Sequence, residues 1–444
     1  MNTALAERIV QEHAAASDAL PSSVVSPERR RRAVDALAAK GLPTTRDDNW
    51  KYANLRPVER VKFSPVAVAG RTSIVAAGLP PAIAGYARYV FVDGVFAAEL
   101  SAAGSPAGVT VTSLRTPSAS VSSAALPTSP DASAASNAPA DERFALLNEA
   151  FATDGAHVHA PKGADCTACV EILFVATAPS QSAASYPRLE LDVEANARIG
   201  LIERHISAGN DANFVNGAVQ VSIGDGAQVD HYRVQQAGAH ATWFDTLSAT
   251  VARNARYVVH SVNIGGLAGR STSRVQLIGD GAEFSLHVVS LADGQQVHDA
   301  FALVEHIAPN TKSEQNVRGI AAGRARVAFN SKVVVREHAR GTDSRQSLRG
   351  LLAGAQAEID LRPQLEIYTD DVRCNHGATA GKLDDNMLFY MLSRGIERET
   401  AQQLLKWAFL GDVMSRIAVP ELRKQIELSL AGQLKETAAL KELI

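Results

Sequence analysis

Between about residue 165 and residue 372, short apolar or β-branched runs alternate with Gly, Asn and Asp. Val219-Gln220-Val221-Ser222-Ile223 runs into Gly224-Asp225-Gly226, and Arg274-Val275-Gln276-Leu277-Ile278 runs into Gly279-Asp280-Gly281. A period of two followed by turn formers predicts strands with one buried face. A small or Asn residue followed by Ala recurs at Asn196-Ala197, Gly226-Ala227, Asn254-Ala255 and Gly281-Ala282, at gaps of 30, 28 and 27 residues. The series then breaks for 43 residues, to Arg324-Ala325, and returns 30 residues later at Gly354-Ala355. A period near 28 with strands and almost no helical spacing predicts a β-solenoid, whose stacked rungs share one core. Regular strand spacing leaves a β-sandwich as the alternative.

The two ends read differently. Residues 1–60 are rich in Ala, Leu, Glu and Arg and predict helices. Ser26-Pro27 supplies an N-cap and a first-turn Pro, and the run Arg29 to Arg32 reads as a solvated helix face. Residues 61–164 are mixed and include a low-complexity Ser/Ala/Pro/Thr stretch near 101–142 that reads as an insertion or linker. The solenoid is expected over 165–380 and a helical domain over 381–444. In that last region Leu383-Asp384-Asp385 opens a helix and Arg394-Gly395 stops it, a second helix runs from Glu397 to about Ala418, and Pro420 opens a third. The fold class is therefore mainly β: a right-handed parallel β-helix core with α-helical domains at both ends.

Composition narrows the function. A formal charge of −3 argues against a dedicated nucleic-acid binder. No apolar run approaches the length of a membrane span, and the N-terminus lacks a secretory pattern. Three cysteines in 444 residues do not describe a disulfide framework. A cytoplasmic protein in a reducing compartment is expected. Without a Gly-Lys-Ser/Thr phosphate loop the chain should bind no ATP, and no Gly-x-Ser-x-Gly elbow is present.

The segment most informative for chemistry is Pro363-Gln364-Leu365-Glu366-Ile367-Tyr368, followed by Asp370-Asp371 and then Cys374-Asn375-His376-Gly377. Cys374 and His376, two apart on an extended segment, face the same way. A thiolate and an imidazole suit iron or sulfur species, but two ligands are too few for a closed site, so the site would be completed by another chain or by sulfide. A second constellation, His157-x-His159 followed by Cys166-x-x-Cys169, has zinc or redox spacing but no matched second half. His205, His231, His240, His260, His287, His298, His306 and His338 are scattered and read mostly as surface or satisfied rung residues. On the second C-terminal helix, Ala401, Leu404, Leu405 and Ala408 form one apolar stripe and Trp407, Leu410, Met414 and Ile417 another. One stripe suffices for the chain's own core, so the second would either pack internally or meet a partner.

From Pro363 to about Ile417 the chain resembles the SufB/SufD family of iron–sulfur cluster assembly proteins. The resemblance rests on Pro363 to Tyr368, Asp370-Asp371-Val372, Cys374, His376-Gly377-Ala378-Thr379, Gly381, Leu383-Asp384, Phe389-Tyr390, Ser393-Arg394-Gly395-Ile396 and Ala401. Trp50-Lys51-Tyr52 resembles the family's N-terminal motif and, with the modest length, favours the SufD branch. Asn375 stands where the family usually has Ser. The resemblance implies a non-enzymatic scaffold subunit that pairs with SufB, docks the SufC ATPase and supports cluster formation and iron acquisition. It implies a transient iron–sulfur cluster near the SufB interface, with His376 functional and Cys374 beside it. It also makes the Trp407, Leu410, Met414 and Ile417 stripe the ATPase-docking surface. The isolated chain could pair with itself, and the sequence leaves flavin binding open. A β-helix polysaccharide enzyme and a purely structural interaction module are the competing readings.

Overall fold

The computed structural model describes residues 3–60, 64–65, 78–116, 143–177 and 183–434. Among the described residues two long sheets, of eleven and ten strands, face one another, and from Arg188–Val193 onward the chain alternates between them strand by strand. Over that span each strand pairs in parallel with the strand one rung away, so Lys312–Ala321 lies against Thr342–Leu352, which lies against Val372–Gly381. The result is a parallel β-solenoid of about eight turns. Its interior is a continuous apolar core that includes Leu201, Val229, Val259, Leu286 and Leu348.

One edge of the solenoid explains the sequence period. Asn196, Gly226, Asn254, Gly281, Asn310 and Gly341 all adopt positive φ, between 53° and 72°. Only Gly, and Asn with its short polar side chain, enter that region readily. The ladder runs without a break, because Asn310-Thr311 and Gly341-Thr342 fill the gap with Thr in place of Ala. Arg324-Ala325 and Gly354-Ala355, read from sequence as the same series, lie on the opposite edge, between Lys312–Ala321 and Arg326–Val335 and between Thr342–Leu352 and Glu358–Ile367.

Helices cover the two outer faces. Helices α1 (Thr3–Ala16), α2 (Pro27–Lys40), α3 (Arg56–Arg60) and α4 (Arg143–Phe151) belong to the N-terminal region. Leu5, Ile9, Leu37, Phe144 and Phe151 from α1, α2 and α4 pack with Tyr186, Phe214 and Phe244 of one sheet. Trp50 is the anchor: it is buried against Phe144 at 5.1 Å, and the Arg270 guanidinium lies 4.3 Å from its ring centroid. Helices α6 (Arg398–Met414) and α7 (Pro420–Gln433) cover the other sheet, and α5 (Asp385–Ser393) packs against α6. Asp384 caps α5 by accepting from Asn386 and Met387, and Ser26 caps α2 by accepting from Arg29.

Three sequence expectations shift. Strands of the two sheets begin well before residue 165, since Ala87–Val92 pairs with Asp165–Ala176 and Ala156–Ala160 with Arg188–Val193. Within the low-complexity stretch, Thr110–Ser113 forms a strand antiparallel to Ala156–Ala160, whereas 117–142 lies outside the described residues. The Arg29–Arg32 run is only half solvated. Arg30 is buried and donates to the carbonyls of Ala150 (2.9 Å) and Ala152 (2.7 Å) at the end of α4, a cation on the carbonyl end of a helix. Burial brings its guanidinium down to about 10, with the nearby Arg188 acting in the same direction.

Candidate functional site

The solenoid is open at its C-terminal end. Among the described residues Glu358–Ile367 and Val372–Gly381 are the last strands of their sheets and pair on one side only. Along Val372–Gly381 alternate side chains face inward. Register links Val229, Tyr257, Phe284, Ser313, Ser344 and Cys374 into one inward column. His231, Val259, Leu286, Gln315, Gln346 and His376 form the neighbouring column. Cys374 is half-buried against the apolar interior, and His376 is exposed at the rim. The shared face expected of the Cys-x-His pair is therefore the interior face of the last rung.

The two rungs beneath are polar. Ser344 and Ser313 hydroxyls lie 2.9 Å apart, and Ser313 shares a 2.8 Å hydrogen bond with His306 Nε2. Gln346 Nε2 donates to Ser331 Oγ at 2.6 Å, and Ser331 donates to Gln315 Oε1. Gln346 Oε1 and Gln315 Nε2 are buried without a hydrogen-bond partner among the described residues. One rung deeper, Phe284 and Leu286 close the floor with apolar groups. The mouth under Cys374 and His376 is thus a polar vestibule with spare hydrogen-bonding capacity. Sequence reading missed these groups, although Ser313-x-Gln315, Ser344-x-Gln346 and Cys374-x-His376 repeat one pattern at 31 and 30 residues.

Burial raises the Cys374 thiol above its ordinary range, against a backbone hydrogen bond from Ser344, and the Asp343 carboxylate adds to the rise. A metal or sulfur ligand needs the thiolate, so neighbouring positive charge would activate this sulfur. Among the described residues no group of three His, Cys, Asp or Glu side chains is placed to hold a metal ion. Cys374 and His376 alone are an incomplete donor set for an iron or sulfur cargo.

Two family descriptions match the chain. "SUF system FeS cluster assembly, SufBD core domain" covers residues 174–409, and "SufBD protein N-terminal region" covers residues 10–172. The chain belongs to the SufBD family. It is 28% identical over 410 residues to the Iron-sulfur cluster assembly protein SufD of Escherichia coli, covering 92% of each chain. It is also 28% identical over 415 residues to a SufBD family protein of Synechocystis, covering 90% of this chain and 89% of the relative. A chloroplastic protein of Arabidopsis thaliana is 29% identical over 255 residues, 56% of this chain and 53% of the relative. No described helix of this SufBD chain is long and apolar enough to cross a membrane.

The α6 stripe expected to meet a partner packs inward in this SufBD protein. Leu410, Met414 and Ile417 are buried, and with the half-buried Trp407 they pack in one cluster with Val262, Val289 and Leu291 of the solenoid wall. These side chains are core, which corrects their reading as an ATPase-docking surface. The other stripe is mixed, with Ala401 buried, Leu404 and Leu405 half-buried and Ala408 exposed. Among the described C-terminal helices the densest group of large apolar side chains in solvent sits on α5, where Met387, Phe389 and Tyr390 are 53%, 73% and 58% exposed. Periodicity showed two stripes but carried no information on which one met the wall.

The remaining candidates separate. His157 pairs with Asp192 at 2.9 Å and His159 with Glu194 at 3.2 Å, so these histidines face carboxylates rather than Cys166 and Cys169. Of the scattered histidines, only His240 and His338 are exposed. His205 and His231 join a buried network on Glu203, which also takes Arg233 Nε at 2.8 Å. Burial pushes the Glu203 carboxyl up, but Arg233 and the histidine hydrogen bonds hold it well below the usual range. A buried carboxylate so fully paired is a structural ion cluster.

Proposed function

We propose that this chain is a SufD-like, non-enzymatic scaffold subunit that works in the cytoplasm in a complex with a SufB-type chain and a SufC-type ATPase. The observation that carries the reading is the open last rung. It presents two long strand edges that pair with no further strand among the described residues, and between them a half-built donor set, Cys374 and His376. An exposed strand edge is a template for another chain. A second solenoid abutting this rung would pair those edges and close the vestibule over the cargo.

In this reading the SufB-type partner supplies the missing ligands, and the iron–sulfur cluster is transient cargo at the shared mouth. Cys374 serves as a thiolate ligand once partner charge or iron lowers its proton affinity. His376, at the rim, serves as a ligand or proton acceptor. The spare amide groups of Gln346 and Gln315 hold polar species just below. ATPase docking falls to α5, whose exposed Met387, Phe389 and Tyr390 follow the last strand by only a few residues. Motion imposed on α5 would then reach the Cys374 strand directly.

The test is co-expression of the full chain with a SufB-type and a SufC-type subunit, followed by affinity capture and cluster reconstitution. A stable complex whose cluster yield needs this chain supports the reading. A folded chain that captures neither subunit, with cluster yield indifferent to its presence, overturns it. An isolated chain that dimerises through the same edges fits the open rung, and added SufB-type subunit should displace that dimer.

A further inference from the structure

We infer that Cys166 and Cys169 form a reversible intrachain disulfide by exchange with a small-molecule disulfide such as glutathione disulfide. The pair lies in Asp165–Ala176, whose pairing with Arg198–Ser207 is irregular here. Cys166 stands opposite Ile199 and Val170 opposite Leu201, so four steps on one strand answer to two on the other. The surplus makes a bulge that carries Thr167 and Ala168 into solvent.

The bulge is held from two sides. The Tyr86 hydroxyl donates to the Thr167 carbonyl at 3.1 Å. That carbonyl oxygen lies 1.9 Å from the point a Cβ on residue 200 would occupy, which only Gly200 permits. In a regular strand, residues three apart face opposite ways. Here the bulge turns them together: Cys169 is buried in the apolar core, and the half-buried Cys166 packs against that same core. Cys166 Sγ also lies 3.4 Å from the Ala168 carbonyl oxygen.

Their exposures divide the chemistry. Cys166 is half-buried and reachable beside the bulge, while Cys169 is 1% exposed. The Cys166 thiolate attacks a sulfur of glutathione disulfide, forming a mixed disulfide and releasing one glutathione. Cys169 then displaces the second glutathione and closes the ring. Two protein thiols are oxidised, one glutathione disulfide is reduced, and the two thiol protons end on the two glutathiones. Burial, with the neighbouring Cys166 acting in the same direction, holds the Cys169 thiol above its ordinary range, so ring closure, which also needs that proton removed, quickens with pH.

Cys374 cannot compete for either sulfur. Cys166 opens the same inward column that Cys374 closes, seven strand spacings away, about 34 Å at ~4.8 Å per spacing. A metal reading has less support, because His157 and His159 are paired with carboxylates and no third ligand reaches the cysteines.

The experiment equilibrates the full folded chain with glutathione disulfide, blocks remaining thiols with N-ethylmaleimide and maps the tryptic peptide of residues 163–188, which holds both cysteines. The expected peptide lacks both maleimide adducts and is lighter by two hydrogens, and dithiothreitol restores both adducts. Cys169→Ser should stop at a stable glutathione adduct on Cys166, and Cys166→Ser should leave Cys169 unmodified. The inference is overturned if the wild-type peptide keeps a glutathione adduct on Cys166, or if both cysteines still take maleimide while circular dichroism shows the chain folded.

Discussion

The side-chain oxygen of Asn310 stands 2.5 Å from the point a Cβ on Gly341 would occupy, one rung above it. The same contact joins Asn196 to Gly226 at 2.4 Å and Asn254 to Gly281 at 2.5 Å. Positive-φ positions therefore alternate Asn and Gly, because an Asn side chain leaves no room for another side chain over it. Gly341→Ala adds a methyl at φ 72° and against that oxygen, which Asn310 Nδ2 helps to fix by donating to Asp280 at 2.9 Å. It should lower stability by about 1–3 kcal/mol. In an Asn310→Gly background the same change should cost less, because the steric part is gone. Urea unfolding of the four variants checks both statements.

That ladder also shows how much of the fold was legible. Asn196, Gly226, Asn254 and Gly281 gave the period because Ala follows each of them. The series seemed to break where Thr311 and Thr342 replace that Ala, although both Thr residues still bury their side chains, and Thr311 bonds the Ala308 carbonyl at 3.2 Å. Cys374 and His376 were legible as a pair, since strand geometry alone puts them on one face. Their inward direction was not, because it depends on register with Ser344 and Gln346, thirty residues earlier. The role of Leu410 and Met414 was hidden for a related reason: a helical stripe records that something apolar is met, not which chain supplies it.

His376→Ala should separate assembly from folding. The side chain is at the rim and exposed, so its loss should change stability by no more than ~0.5 kcal/mol. Loss of a ligand or its orienting group typically costs about 10–100-fold in metal affinity. The variant complex should therefore form normally, with unchanged melting temperature and a several-fold lower cluster yield in visible absorption. Normal yield from a folded complex would remove His376 from the site.

Alkylation should report the state of Cys374. Burial keeps its thiol above the ordinary value of 9.0, so iodoacetamide should modify it more slowly than a free thiol at neutral pH. In the lone chain its rate should still be rising where an ordinary cysteine has levelled off. Closing the last rung with a SufB-type partner should protect Cys374, as mass spectrometry of the labelled peptide would show.

Two variants distinguish the outer face of the C-terminal helices from the inner one. Phe389→Asp changes a side chain that is 73% exposed on α5, so folding should be unaffected while capture of the SufC-type ATPase falls. Leu410→Ala empties a site that is 1% exposed against the solenoid wall and should cost about 2–5 kcal/mol of stability. Pull-down at a temperature where both variants are folded gives the contrast. ATPase capture lost only in Leu410→Ala would return docking to α6.

Acid should loosen the rungs beneath Cys374 and His376 before the carboxylates titrate. His306 is fully buried, with its ring nitrogens 2.8 Å from the hydroxyls of Thr311 and Ser313, and burial lowers its pKa from 6.5 to about 4. The unfolded chain takes up a proton as pH falls through about 6.5, whereas the folded chain resists until about pH 4. The unfolded state thus binds more protons in that window, so stability is full above it and declines as pH drops. For this one residue the decline approaches about 3 kcal/mol at the lower end. His298 lies in the same direction, also lowered to about 4 by burial, against a backbone hydrogen bond with Gly265. Urea midpoints should fall steadily between pH 7 and pH 5. His306→Asn, which keeps a polar side chain but cannot titrate there, should flatten that slope even if it lowers the midpoint at pH 7. An unchanged slope would mean that His306 opens to water and takes up its proton in the folded chain.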